Sequence, residues 1–185
     1  MIPAMKRKLL VTGGPGVGKT TLICRALDSL PSQAANGFIT RELRQEGRRV
    51  GFEVETLAGA STMLAHVNIH SQFRVGRYGV DVAAFESSAL PAVDPAQAST
   101  PLIVIDEIGK MECLSPPFRQ VVLSALASDR AVLATIALHG DRFIEGLKTR
   151  PDISLLRITQ DNRDELLGQV VKWAQEVLRV AQRPQ

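Results

Sequence analysis

Aromatic side chains are scarce: one Trp, one Tyr and six Phe make up 4% of the 185 residues. Proteins that grip single-stranded nucleic acid interleave aromatics with basic residues so that bases can stack. Here only Phe38 and Phe52 lie near the basic stretch 41–49, so a nucleic-acid partner is not expected. Cysteine is nearly absent as well. Cys24 and Cys113 have neither metal-ligand nor disulfide-framework spacing, and they fit a reducing compartment. Long apolar runs are missing: after the basic start only Leu9, Leu10 and Val11 follow, too few for a signal-peptide core. No stretch approaches the ~20 apolar residues that span a bilayer. The expectation is a soluble, cytoplasmic monomer with no membrane association. His66, His70 and His139 lack metal-ligand spacing and read as loop residues. Strong charge of one sign is missing too, since 22 Lys and Arg oppose 19 Asp and Glu for a net charge of +3, a mild balance that a solvated surface explains and that a phosphate-bearing ligand would account for as well as nucleic acid would.

A chain of this length suits one domain, 1–185, burying roughly 70% of its unfolded surface. Residues 8–12 form a short apolar run ending in Gly-Gly-Pro-Gly, as a buried strand running into a glycine loop does. Leu22, Ile23, Ala26, Leu27 and Leu30 then recur at helical spacing until Pro31. Alternation of Val50, Phe52 and Val54 with polar residues predicts an antiparallel hairpin over 37–57, turning near 45–48 and inserted into the main pattern. Residues 58–73 show no period and read as a loop. Residues 78–82 suit a strand, and 83–90 a short helix stopped by Pro91. The run 102–106 is the clearest buried strand, apolar until its final acid. Ser115 and Pro116 open a helix to about 127. Strands are expected over 131–137 and 153–159, with helices over 141–148 and 164–181. This alternation predicts an α/β fold: three layers around a mostly parallel central sheet, plus the antiparallel hairpin.

The residues Gly13, Gly14, Pro15, Gly16, Val17, Gly18, Lys19 and Thr20 satisfy the spacing of a phosphate-binding loop, and they lie between an expected strand and an expected helix. Glycines let successive N–H groups converge on phosphate, and the helix N-terminus adds partial positive charge. Lys19 would reach the β- and γ-phosphates of a nucleoside triphosphate, and the Thr20 hydroxyl would ligate Mg²⁺. Asp106, ending a core strand, is the natural second holder of Mg²⁺, and Glu107 is placed to act as general base on water. Arg41, Arg44, Arg48, Arg49, Arg74, Arg77 and Lys110 are candidates to meet charge on a transferring phosphoryl group. Thr135 is either a γ-phosphate sensor or a structural strand threonine. Asn162 and Arg163, between a strand and a helix, suit either a base or ribose contact or a helix cap.

Four blocks make the chain resemble the THEP-type, or cancer-related, nucleoside-triphosphatase family of P-loop NTPases, the branch with an additional strand and a catalytic glutamate. They are 13–22, the pair 37–44 and 47–54, the segment 74–81 with Phe85, Glu86 and 89–91, and 104–112. The likeness runs nearly end to end. It implies slow, Mg²⁺-dependent hydrolysis of ATP, GTP and other nucleoside triphosphates to diphosphate and phosphate. It implies nucleotide contacts on the glycine loop, extended here to Thr21, and on Leu102, Ile103, Val104, Ile105, Asp106, Glu107, Ile108 and Gly109. Segments 93–101 and 138–142 vary within that family.

Two other readings use the same loop. A kinase would pass the γ-phosphate to a nucleotide or small metabolite under a lid at 58–73. A nucleotide-regulated RNA-associated module would present the hairpin around 41–49.

Overall fold

The computed structural model describes residues 6–181. Nine strands are found among them: β1 (Lys8–Gly13), β2 (Ala35–Gln45), β3 (Arg48–Thr56), β4 (Ser61–His66), β5 (Arg74–Val75), β6 (Tyr78–Val80), β7 (Leu102–Ile108), β8 (Ala131–Ala137) and β9 (Ile153–Arg157). The helices are α1 (Lys19–Asp28), α2 (Val82–Val93), α3 (Pro116–Ala127), α4 (Arg142–Lys148) and α5 (Arg163–Ala181), with a 3-10 turn at Glu112–Leu114. All strands join one sheet in the order β5-β6-β4-β3-β2-β7-β8-β1-β9. From β2 to β9 the neighbours are parallel, and from β2 outward to β5 they are antiparallel. The hairpin is thus continuous with the sheet, since β2 pairs with β7 in the register Phe38↔Ile105.

The central strands are apolar on both faces because both faces are covered. On one side Leu9, Val11, Leu102, Val104 and Leu133 pack under α1 and α5, against Leu22, Ile23, Val170 and Trp173. On the other, Leu10, Ile103, Ile105 and Ala134 pack under α2 and α3. There Phe85 meets Phe38 at 5.9 Å and Phe118 at 5.1 Å, edge to face in both cases. Ser115 begins α3 as expected: its Oγ accepts from the Phe118 N–H at 3.0 Å and donates to Glu86 Oε1 at 2.6 Å, tying α3 to α2.

Three expectations are corrected. Residues 58–73 are not all loop, because β4 extends the sheet there with Leu64 and Ala65 buried, and it places His66 on a strand. Helix α2 runs through Pro91 to Val93 rather than stopping before it. Pro91 and Ser87, whose carbonyl would have bonded the missing N–H, are both exposed, so the lost bond is not in the core. Strand β7 continues past Asp106 to Ile108.

Candidate active site

Strand β1 delivers the chain into the glycine loop, and Gly18, in the left-handed conformation at φ 105°, caps α1. No side chain accepts a hydrogen bond at this cap and no acidic residue lies in the first turn. The first N–H groups of α1 are therefore open to an anion. Lys19 folds back over the loop: Nζ donates to the Gly13 carbonyl at 3.3 Å and lies 3.7 Å from Glu107 Oε2.

Strand alternation aims the acid. Leu102 and Val104 face α1 while Ile103 and Ile105 face α3, so Asp106 continues the first set toward the start of α1, where Thr20 sits. Asp106 is fully buried, and Thr135 Oγ1 donates to its Oδ1 at 2.5 Å. Burial pushes its carboxyl up; hydrogen bonds from Thr135, Thr20 and the Thr40 backbone, together with Lys19, oppose this. Although Thr20 lies against the carboxyl, Oδ2 has no hydrogen-bond partner of good geometry. A buried, partly unsatisfied carboxylate beside a hydroxyl is a hard-oxygen donor pair that fits Mg²⁺. No cluster of three or more His, Cys, Asp or Glu is placed to hold a metal among the described residues. The other ligands would come from phosphate and water, as is usual for Mg²⁺. Glu107 is also pushed up by burial, held back mainly by Lys19.

Sequence reasoning gave Glu112 no role of its own. It is 5% exposed, and burial followed by the charge of Glu107 pushes its carboxyl up to about 8. Both carboxyls flank the bare face of Gly109, where a Cβ would lie 2.8 Å from Glu112 Oε2 and 3.5 Å from Glu107 Oε1. The only sequence signal is an acid set among Met111, Cys113 and Leu114.

These groups share a cleft of about 900 Å³ lined by Gly13, Pro15, Gly16, Gly18, Lys19, Thr20 and Thr21, by Asp106, Glu107, Gly109, Lys110 and Glu112, and by Thr40, Arg41, Arg44, Arg49, Phe52 and His139. A second pocket of about 380 Å³ shares Gly16, Gly18 and Thr21 and adds Val17, Arg25, Ile158, Arg163 and Leu167. Arg163 is thus brought to the loop. Asn162 is spent on its own turn, accepting from the Thr159 N–H at 2.8 Å and donating to the Arg157 carbonyl at 2.9 Å. Leu102, Ile103, Val104, Ile105 and Ile108 are wholly buried in the two halves of the core, and their side chains do not line the cleft. Gly14 has open space where a Cβ would be. Arg41 is paired with Glu55, and Arg44 and Arg49 share Glu42. Arg74 and Arg77 donate to backbone carbonyls of Arg77 and Arg49.

A glycine loop feeding a helix, faced by a buried strand acid and an adjacent glutamate, defines a P-loop nucleotide-binding protein. The family model described as NTPase matches residues 8–171, and the chain belongs to that family. Among curated proteins it is similar to nucleoside-triphosphatase THEP1 of Thermotoga sp. (strain RQ2), 42% identical over 89% of this chain and 93% of that one. It is also similar to the human cancer-related nucleoside-triphosphatase, 39% identical over 92% of this chain and 98% of that one. Among solved structures, THEP1 from Aquifex aeolicus superposes with a TM-score of 0.82 at 34% identity, over 89% of this chain and 97% of that one. The solution structure of the human cancer-related nucleoside triphosphatase gives a TM-score of 0.78 at 39% identity, over 92% and 98%.

Proposed function

We propose that this chain is an enzyme that hydrolyses nucleoside 5′-triphosphates, ATP and GTP among them, to diphosphate and phosphate with Mg²⁺, acting as a monomeric single-domain protein of the cytoplasm. The observation that carries this reading is the meeting of Lys19 and Glu107, 3.7 Å apart, beside the buried Asp106. Triphosphate oxygens would take up the open N–H groups of α1 and draw the Lys19 ammonium from Glu107. The glutamate is then released, unpaired and in a poorly hydrated wall, to remove a proton from water attacking the γ-phosphorus. Thr20 and Asp106 would hold Mg²⁺, which would supply neutralisation of the charge on the triphosphate. The second pocket would take the base. Its polar side chains, Thr21, Arg25, Arg163 and Asp164, are all exposed, which suits tolerance of different bases over discrimination.

The naming of relatives as nucleoside-triphosphatases supports water as the acceptor. The test is phosphate release from ATP, GTP, CTP and UTP, with Mg²⁺ and with chelator, in the presence and absence of monophosphate and nucleoside acceptors. Free phosphate in every case supports hydrolysis, whereas stoichiometric phosphoryl product on an acceptor would establish a kinase instead.

A further inference from the structure

We infer that the half of the cleft beyond Glu107, walled by the β2–β3 hairpin, is a second ligand subsite for a nucleoside monophosphate or a similar phosphate-bearing planar ring. The inference rests on the placement of the triphosphate in the glycine loop given above.

Size is the first argument. The cleft holds about 900 Å³, near the upper end of the roughly 300–1,000 Å³ typical of a complete small-molecule site. Yet the nucleotide placed in the loop sends only its phosphate end there, since its base side has a separate pocket of about 380 Å³. The larger compartment has room for a second molecule facing the γ-phosphate.

The wall chemistry gives the class. The hairpin residues that line the cleft are Arg41, Arg44 and Arg49 with one carboxylate, Glu42, which Arg44 and Arg49 share, while Arg41 pairs with Glu55. Lys110 adds an exposed ammonium, with no ion pair among the described residues. Such a fork of guanidinium groups matches a phosphate bidentately. Beside it, the Arg49 guanidinium lies 5.2 Å from the centre of the Phe52 ring, and Tyr78 meets that ring edge-on at 5.3 Å. Phe52, Val75 and Met111 line the cleft beside Arg49, a partly apolar, cationic stretch of wall against which a planar ring can pack. The Thr40 hydroxyl is buried without a partner while its residue lines the cleft, leaving one polar atom for a ligand to satisfy.

The experiment uses the full-length protein saturated with Mg²⁺ and a non-hydrolysable ATP analogue, titrated calorimetrically with AMP, GMP, CMP and UMP. One equivalent of at least one monophosphate binds the loaded protein. Phe52→Leu, which removes the ring and keeps apolar volume, and Arg44→Ala, at an exposed position, each weaken that binding by about tenfold, equivalent to ~1.4 kcal/mol. Analogue affinity, measured separately, changes less. The subsite is refuted if no monophosphate binds the loaded protein, or if monophosphate binds only when the loop is empty. It is equally refuted if both variants bind monophosphate as the parent does, or if Phe52→Leu weakens the analogue instead. Failure of the parent to take the analogue at all removes the triphosphate reading itself, and this inference with it, and is recognised before any monophosphate is added.

Discussion

Thr135 on β8 holds Asp106 on β7 by a 2.5 Å hydrogen bond between two fully buried side chains. The bond fixes Oδ1, while Oδ2 stays buried beside Thr20 without a hydrogen-bond partner of good geometry. Thr135→Val keeps the side-chain shape and removes the donor. Partners that orient a metal ligand typically change affinity or activity by about 10–100-fold. The Mg²⁺ concentration giving half-maximal phosphate release should therefore rise by roughly that factor, and Thr135→Ser should restore it. Parent-like Mg²⁺ dependence in Thr135→Val would show that the threonine is merely structural.

Lys19 and Glu107 should separate binding from chemistry. Glu107→Gln keeps the shape of the wall but cannot accept a proton, so turnover should fall by about 10²–10⁴-fold while nucleotide affinity stays near the parent value. Lys19→Ala should weaken affinity itself. Single-turnover kinetics with equilibrium binding reads both, and a Glu107→Gln protein hydrolysing at the parent rate would remove that residue from the mechanism.

Glu112 makes stability depend on pH. Its carboxyl is raised from an ordinary 4.5 to about 8, first by burial and then by Glu107. Between those values the folded chain holds a proton that the unfolded chain has released. The contribution is complete below the unfolded value, declines as pH rises through the folded one, and amounts to a few kcal/mol by linkage. Glu112→Gln removes this slope. The difference in urea midpoint between variant and parent should grow in favour of the variant from acid to mildly alkaline pH, and a constant difference would contradict the assignment.

Gly37 should tolerate no side chain. It sits at φ 136°, and a Cβ would lie 1.9 Å from the Val104 carbonyl oxygen on β7. Gly37→Ala must separate β2 from β7 at the junction of the parallel and antiparallel halves of the sheet. A loss of several kcal/mol is expected, at the severe end for single substitutions, visible as a large drop in thermal midpoint. Near-parent stability would mean that the strands part cheaply there.

The placement of the glycine loop beside Asp106 and Glu107 is legible in the sequence because it is tied to chain spacing: a loop of fixed length, then an acid at the end of an apolar run. The strands β1, β7 and β8 were legible for a similar reason, since cover on both faces leaves an unbroken apolar signature. Strand β4 was not. It has a bulge in its pairing between Phe52 and Glu53, and its buried residues Leu64 and Ala65 are adjacent rather than alternating, which erases the period. Helix α2 runs past Pro91, the expected stop, because a proline in an exposed last turn costs little. Glu112 is exceptional only once a 3-10 turn has folded it under Gly109, and the Arg49, Phe52 and Tyr78 cluster exists only through strand register.

Alternation along β7 also restricts how this chain can change length. Deleting or inserting one residue between 102 and 105 would rotate the strand's acid from the helix α1 face into the layer of Phe85 and Phe118, burying a carboxylate among aromatic rings. Viable length changes in β7 therefore come in twos or not at all. Single-residue insertions and deletions are expected instead to collect in connectors such as 94–101, where no strand parity has to be kept.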